Sequence, residues 1–167
     1  MAEERSQILN AAQVRQKIRR MVYEILEENF KEKSMVMAGV EGQGFELARQ
    51  LAEELRSLSR MEVHLVRVSL NKQNPNAGEI TVDAEPSTYK KKCIVLVDDV
   101  LNTGKTLTYA MKPFLAVEVK QIEVAVLVNR SHSLFPVWPR YTGYELSTTL
   151  TEHVEVSLGD EQAVYVL

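Results

Sequence analysis

The sequence has little cysteine and no long uninterrupted apolar run. A single cysteine, Cys93, excludes an internal disulfide and a thiolate metal site, and it is typical of a protein in a reducing compartment. No apolar run approaches the roughly 20 residues that a bilayer span requires. The first ten residues also lack the apolar core of a signal peptide. We therefore expect a cytoplasmic protein that does not enter the membrane.

Glycine and proline are few, and neither sign of charge is in large excess. With 7 Gly and 5 Pro among 167 residues, neither a fibrous repeat nor a disordered chain is indicated. The net charge of -3 argues against a protein whose whole surface binds nucleic acid, although it leaves room for a local basic patch. A hydrophobic content of 45% is enough for one sizeable core, so residues 1–167 are predicted to form a single domain.

Apolar spacing predicts strands that alternate with helices. Four apolar runs predict buried strands, at 34–40, 61–70, 93–97 and 121–128. Helical spacing predicts three helices, at 10–30, 45–58 and 103–116. Asn10 and Gln13 have the spacing of a capping box, and Pro113 predicts a kink or an early end of the third helix. This order indicates an α/β fold with a mostly parallel central sheet.

Two segments have no strong periodicity. Residues 71–90 form a long polar connection between predicted strands, which in a compact domain is usually functional or mobile, and "GEITVD" within it suggests a hairpin arm. Residues 129–150 form a second loop-rich region, and short strands are expected after it. We expect both segments to border a site.

The stretch "CIVLVDDVLNTGKT" combines two acids with a set of phosphate-binding groups. Asp98 and Asp99 follow an apolar strand, and residues 103–106 read Thr-Gly-Lys-Thr at the start of a helix. Ligands of open α/β sheets bind at the carboxyl ends of strands, and helix N-termini with threonine hydroxyls suit a phosphate. The spacing matches neither a P-loop nor a dinucleotide fingerprint. Because the two carboxylates can accept from a ribose diol and orient Mg²⁺, the predicted ligand is a ribose phosphate.

These residues resemble a known family. "VLVDDVLNTGKTL" is similar to the phosphoribosyl pyrophosphate (PRPP) motif of type I phosphoribosyltransferases. "AGVEGQGFELARQLAEEL", "AVLVNRSHSLFP" and "RYTGYELST" resemble, in order and spacing, the branch of pyrimidine-operon attenuation regulators that are also uracil phosphoribosyltransferases. The resemblance implies a single-domain fold with helices flanking the sheet, a flexible active-site arm and a small C-terminal hood. It also implies Mg²⁺, PRPP and a nucleobase as ligands, and a homodimer.

The resemblance assigns roles to particular residues. Asp98 and Asp99 would be the catalytic carboxylates that hold the ribose diol, and they would reach the metal only through the ribose or water. The remaining candidates are Asn102, Thr103, Gly104, Lys105 and Thr106 for phosphate, Glu41, Gly42, Gln43 and Gly44 for pyrophosphate, Lys72 on the arm, and Arg130 and His132 for the base. For Arg130 and His132 a surface position without a ligand is an open alternative.

The sequence departs from the family pattern at three places. Glu41 and Gln43 stand where the family usually has a lysine and an arginine, so pyrophosphate binding should rely on backbone N–H groups or be weakened. On the arm, Lys72 alone keeps the cationic character of the family pattern. Asn102 replaces an acid that purine-using relatives carry, which favours a pyrimidine-like base, or none.

Two functions follow as hypotheses. The first is Mg²⁺-dependent transfer of phosphoribose to a base, with uracil or a related pyrimidine expected. The second is a catalytically weakened nucleotide sensor that binds RNA, since the first helix carries four cations, Arg15, Lys17, Arg19 and Arg20. A solvated helix face explains the same cations. The altered pyrophosphate turn is the feature that separates the two hypotheses.

Overall fold

The computed structural model describes residues 4–167, which form two sheets and four α-helices. The strands are β1 Ser6–Leu9, β2 Ser34–Val40, β3 Glu62–Ser69, β4 Thr81–Val82, β5 Cys93–Leu101, β6 Gln121–Asn129, β7 Tyr141–Glu145, β8 Val154–Ser157 and β9 Ala163–Val166. The helices are α1 Ala11–Glu28, α2 Gln43–Leu58, α3 Lys105–Ala110 and α4 Lys112–Leu115, with a 3-10 turn at Pro86–Thr88. The strand order is β4-β3-β2-β5-β6-β7 in the large sheet and β1-β9-β8 in the small one.

The large sheet is parallel except at one edge. Strand β2 lies between β3 and β5, and Met37 pairs with Leu65 on one side and Val95 on the other. Only the two-residue β4 runs antiparallel to its neighbour. Alternate residues of β2 and β5 face two separate buried clusters, one built with α1 and α2 and one with α3. The predicted α/β fold with a mostly parallel sheet is therefore confirmed.

Helix α1 begins as the sequence indicates. Oδ1 of Asn10 accepts from the N–H of Gln13, and Oε1 of Gln13 accepts from the N–H of Asn10, both at 2.9 Å. This reciprocal capping box satisfies two donors that the first turn would otherwise leave free. The predicted apolar face is buried, with Val14, Ile18, Met21 and Ile25 in the core.

Helix α2 begins earlier than predicted and ends at the predicted residue, Leu58. It begins at Gln43 rather than Phe45, so Gln43 and Gly44 belong to its first turn instead of a preceding loop. Its core face holds Leu47, Leu51 and Leu55. Leu58, which continues this spacing, is 43% exposed because it is the last residue of the helix.

The region after the third predicted strand also has different bounds. Strand β5 continues past Val97 to Leu101, because the ladder with β6 extends as far as the Leu101 and Asn129 pair. Both Asp98 and Asp99 therefore lie within the strand. The following helix divides at Met111 into α3 and α4, and Pro113 lies in the first turn of α4. The early end predicted from Pro113 is confirmed.

The polar arm folds back on the sheet edge. Thr81 and Val82 pair with Ser69 and Val68, which makes the hairpin suggested by "GEITVD". The small sheet was foreseen only in its C-terminal strands, because β1 joins it by pairing Ser6 with Val166 at the other end of the chain. Within residues 4–167, none of the helices is both long enough and apolar enough to cross a membrane.

Candidate active site

The acid pair lies deep at the carboxyl end of β5. The side chain of Asp98 is 5% exposed, and that of Asp99 is 20% exposed. Oδ1 of Asp98 accepts from the N–H of Asp99 at 2.9 Å and from Nζ of Lys72 at 3.1 Å. A Cβ on Gly44 would lie 2.7 Å from that same oxygen. Glycine at position 44 thus allows the first turn of α2 to approach the acid pair closely.

The surroundings of Asp98 oppose its ionisation. Burial raises the pKa of the Asp98 carboxyl well above its usual range, and the adjacent Asp99 charge raises it further. The ammonium of Lys72 acts in the opposite direction, but it is too exposed to cancel the burial. The structure therefore brings three predicted residues together, Lys72, Asp98 and Asp99. Ionising the carboxyl of Asp98 in these surroundings costs free energy.

The predicted phosphate loop turns sharply after β5. Gly104 has a left-handed backbone with φ 85°, and α3 begins at the next residue. The N–H of Lys105 donates to Oγ1 of Thr103 at 3.2 Å, so this N–H is less available to a ligand than the sequence indicated. The later first-turn N–H groups of α3 have no acceptor within the helix. Residues 102–107 line one small pocket together with Asp98.

The loop after β6 packs directly against the phosphate loop. The carbonyl of Thr103 accepts from the N–H of Leu134 at 2.8 Å and from that of Phe135 at 3.1 Å. A Cβ on Gly104 would lie 3.4 Å from the side chain of Val137 and 3.5 Å from that of Phe135. The two loops therefore form one continuous wall of the site.

Arg130 connects this wall to the segment after β7. It is only 7% exposed, so the solvated loop cation considered above is excluded. Its Nη1 donates to Oδ1 of Asn102 at 2.7 Å, and its Nε donates to Oγ1 of Thr148 at 2.9 Å. Its Nη2 donates to the carbonyls of Thr149 at 3.1 Å and Glu152 at 2.6 Å. With these donors engaged, Arg130 acts as a brace rather than as a free cation.

His132 belongs to the same brace. Its Nε2 lies 2.8 Å from the carbonyl oxygen of Thr148. A carbonyl oxygen only accepts, so Nε2 carries the proton in this contact. Arg130 and His132, both assigned to the base region, thus hold residues 148–152 beside Asn102. Strand β7 lies within the predicted base-recognition region, residues 129–150.

The pyrophosphate turn has a mixed outcome. Gly42 has φ 97°, a conformation that glycine adopts without strain, and Glu41 is exposed beside it. Oε1 of Gln43 accepts from the N–H of Leu158 at 2.8 Å, and Gln50 donates to the carbonyl of the same Leu158 at 3.1 Å. The side chain of Gln43 therefore fastens α2 to the small sheet. It is therefore not free to bind pyrophosphate at the turn.

Arg67 is a cation near this turn that the sequence analysis missed. Its guanidinium lies 4.0 Å from the centroid of the Phe45 ring, and it borders a surface pocket together with Glu41 and Gly42. The available clue was a cation near the carboxyl end of β3, just before the arm. Strand alternation alone does not show which face of β3 borders the turn, so Arg67 could not be selected from the sequence.

The protein offers few ligands of its own for a divalent cation. Within residues 4–167, no three side chains of the His, Cys, Asp or Glu type come together as a metal site. Asp98 and Asp99 are the two carboxylates that could contribute, one of them already bound to Lys72. This arrangement fits Mg²⁺ only as an ion carried largely by the oxygens of a ligand.

Of the four cations of α1, only Arg20 forms a salt bridge within residues 4–167. Arg20 pairs with Glu24 at 2.5 Å and donates to the carbonyl of Gly143 at 2.6 Å. Nζ of Lys17 lies 5.8 Å from the centroid of the Tyr144 ring. Arg15 borders a pocket that also holds several acids, and Arg19 has its pKa raised by a hydrogen bond with Tyr23 and by the charge of Glu54. Arg15, Arg19 and Arg20 are exposed, so α1 keeps an exposed positive face that has acids beside part of it.

Comparison with known proteins identifies the family. The model of the phosphoribosyl transferase domain matches residues 4–158. The chain belongs to the phosphoribosyltransferase domain family. Among curated members, the Bifunctional protein PyrR of Bacillus pumilus strain SAFR-032 is 30% identical over 167 aligned positions, covering 95% of this chain and 93% of the relative. The Bifunctional protein PyrR of Bacillus cereus strain AH820 is 31% identical over 165 positions, covering 93% and 92%.

Solved structures of phosphoribosyltransferases share the fold. The hypoxanthine phosphoribosyltransferase of Trypanosoma cruzi superimposes with a TM-score of 0.80 at 14% identity, covering 97% of this chain and 95% of that one. A hypoxanthine-guanine phosphoribosyltransferase from Bacillus anthracis gives a TM-score of 0.69 at 17% identity, covering 87% and 85%. The fold and branch implied by the sequence resemblance are thus confirmed, and the base remains to be assigned.

Proposed function

We propose that this phosphoribosyltransferase family member transfers the phosphoribosyl group of PRPP to uracil or a related pyrimidine, giving a nucleoside monophosphate and pyrophosphate. The observation that carries the proposal is the placement of Asp98 beside the 103–107 loop in one pocket, with Asp99 next to it in β5. Carboxylates suit the hydroxyls of a ribose, and the loop suits its 5′-phosphate.

The chemistry needs positioning more than it needs a reactive side chain. The bond from ribose C1 to pyrophosphate breaks, a bond from C1 to a ring nitrogen of the base forms, and that nitrogen loses its proton. Asp98 and Asp99 would hold the ribose diol, while the 103–107 loop fixes the 5′-phosphate. Mg²⁺ bound to the substrate oxygens would neutralise charge on the departing pyrophosphate.

Lys72 has two successive partners in this proposal. The ribose hydroxyls need the oxygens of Asp98 and Asp99 that Lys72 now contacts. The ammonium is therefore displaced toward the leaving pyrophosphate, where a cation stabilises the developing charge. The arm that carries Lys72 forms a hairpin on β3, and Lys72 lies in the connection between the two paired strands, outside their ladder.

Arg67 compensates in part for the missing cations of the turn. The carboxylate of Glu41 repels pyrophosphate, and Gln43 is occupied by Leu158. We assign Arg67, which borders the same pocket as Glu41, as a cation that offsets this repulsion. Turnover should consequently be lower than in a member with a basic turn, yet not abolished.

The direct test is release of pyrophosphate from PRPP and Mg²⁺ with uracil, cytosine, hypoxanthine and guanine supplied separately. Release with uracil that is lost in Asp99→Asn would support the proposal. The exposed Asp160→Asn serves as a control for the loss of one carboxylate elsewhere. If none of the four bases supports pyrophosphate release, or if Asp99→Asn keeps full turnover, the assignment of the reaction is wrong.

The same preparation tests the RNA-binding alternative. Retention of RNA that falls steeply with salt would support a regulator, because phosphate contacts release counterions. Within α1, Arg20 is held by Glu24 while Arg15 and Arg19 stay exposed, so any retention through this helix would depend on the latter two.

A further inference from the structure

A second cavity lies at the end of the domain opposite the acid pair. Its volume is about 520 Å³, and it is located where α1 and α2 end and where β2 and β3 begin. Asp98 and Asp99 lie at the carboxyl end of β5, which is the other edge of the parallel sheet. A cavity of this volume is in the range of small-molecule sites. The proposed transferase reaction uses none of the residues that line it.

Most of the cavity surface is apolar. Leu26 is partly buried and Met61 is buried, so they form the floor, and Phe30 and Leu58 form the walls. Phe30 is 72% exposed, and Leu58 is the exposed last residue of α2. A single exposed apolar side chain is ordinary, whereas several around one concave surface mark a binding site. We call these four residues the apolar groove.

The exposure of Phe30 is imposed by its neighbour in the chain. Asn29 is buried, and its Nδ2 donates to the carbonyl of Ile25 at 2.9 Å and to Oε1 of Glu123 at 3.0 Å. Because Asn29 is anchored on the inside, the backbone at the end of α1 is fixed and Phe30 faces outward. Its ring is therefore held at the groove before any ligand arrives, which lowers the cost of binding.

The rim of the apolar groove carries cations that lack acidic partners. Lys33 and Arg60 line the cavity and are exposed. Within residues 4–167, neither of them forms a salt bridge. Glu32, the acid in the lining, is paired with Lys120. The groove thus combines apolar walls with an excess of positive charge at its rim.

We propose that the apolar groove binds an amphipathic anion, namely a free carboxylate with an apolar chain. The chain covers Phe30, Leu58 and Met61, which removes their surface from water. The carboxylate lies at the rim beside Arg60 and Lys33, where it matches their charge. A small inorganic anion would leave the walls exposed, and a neutral apolar molecule would leave the two cations without a partner. This site does not depend on the proposed transferase function.

The test is calorimetric titration of the full chain with hexanoate, octanoate and 1-octanol. Octanoate should bind more tightly than hexanoate by up to about tenfold, because two further CH₂ groups leave water. It should also bind about threefold more tightly than 1-octanol, which is the value of an exposed ion pair. Saturation with UMP should leave the affinity for octanoate unchanged, since the two sites lie at opposite edges of the sheet.

Two variants separate the apolar walls from the charged rim. Phe30→Ser should weaken octanoate and 1-octanol alike, whereas Arg60→Gln should weaken octanoate alone, by about threefold. Leu150→Ser and Lys112→Gln are the matched controls, because both positions are exposed and lie outside the groove. All four changes are at exposed positions, so the fold should be retained.

Three results would overturn the inference. They are equal affinities for hexanoate and octanoate, displacement of octanoate by UMP, and no uptake of octanoate. If a second copy of the chain covers the groove instead, octanoate does not bind and sedimentation shows a smaller assembly for Phe30→Ser than for the wild type. None of these results bears on release of pyrophosphate, so the transferase proposal stands or falls separately.

Discussion

Nζ of Lys72 lies 3.1 Å from Oδ1 of Asp98 and 3.9 Å from Oδ1 of Asp99. The arm of the protein therefore contacts the two carboxylates that the proposal reserves for a ribose. A ligand gains these carboxylates only by displacing the ammonium, which couples ribose binding to the position of the arm.

The first prediction concerns Lys72→Met. Ribose hydroxyls no longer compete with an ammonium, so binding of a nucleoside monophosphate should be unchanged or tighter. Pyrophosphate release should slow by at least about tenfold, because a cation for the leaving group is lost. Calorimetry and steady-state kinetics measure the two effects, and Lys90→Met on the same arm is the control. Equal losses of binding and turnover would contradict the exchange of partners.

The second prediction concerns Asp98→Asn. Because the folded protein raises the pKa of this carboxyl, folding favours its protonated form, and ionisation costs stability as pH rises above the ordinary value of about 4. The variant removes that cost, so its melting temperature should exceed that of the wild type at pH 8. The difference should shrink at pH 5, where more of the wild-type carboxyl is protonated in the folded state.

Thermal unfolding at the two pH values checks this sign, with Asp160→Asn as the control. The stabilised Asp98→Asn protein should also bind nucleoside monophosphate more weakly, since an amide is a poorer acceptor than a carboxylate for ribose hydroxyls. A lower melting temperature at pH 8 would show that the contact with Lys72 outweighs the cost of burial.

The third prediction concerns Gly44→Ala. The added Cβ would lie 2.7 Å from Oδ1 of Asp98 and 3.0 Å from its Cα, so either α2 or the acid pair must shift. We expect a loss of about 1–3 kcal/mol in the free energy of unfolding, as in other overpacked sites, together with weaker ribose binding. Denaturant unfolding measures the first effect. Gly159→Ala is matched to it, because a Cβ there meets nothing within 4 Å.

The fourth prediction concerns a buried carboxylate far from the site. Glu123 accepts from Asn29 at 3.0 Å and from the hydroxyl of Tyr141 at 2.9 Å, and Nε of Arg140 lies 3.1 Å away. Replacing Glu123 with alanine removes this acceptor from the buried Asn29 amide and Tyr141 hydroxyl, so we expect a loss of about 3 kcal/mol in the free energy of unfolding. The exposed Glu118→Ala should change it little, and a similar effect for both would refute the network.

Features with a local cause could be predicted from the sequence. The capping box of α1 spans four residues, and the strands β2, β3, β5 and β6 are short segments rich in apolar residues. The place where Asp98, Asp99 and the 103–107 loop meet follows from the same logic, because they lie next to one another in the chain and a parallel sheet presents that end to ligands.

Features with a distant cause could not be predicted. Strand β1 has only four residues, and it is a strand because β9 lies beside it at the opposite end of the chain. The role of Gln43 depends on Leu158, and the burial of Arg130 depends on residues 148–152. In each case a polar side chain is compatible with several environments, and the tertiary partner decides between them.

The shared carbonyl of Thr103 has a consequence for ligand size. Leu134 and Phe135 both donate to it, so the loop after β5 and the loop after β6 are joined by two hydrogen bonds. If the phosphate and the base occupy these two loops as proposed, a ligand must match the distance between them. A nucleoside monophosphate with the phosphate shifted from the 5′ to the 3′ oxygen would carry every required group and still be rejected on span alone.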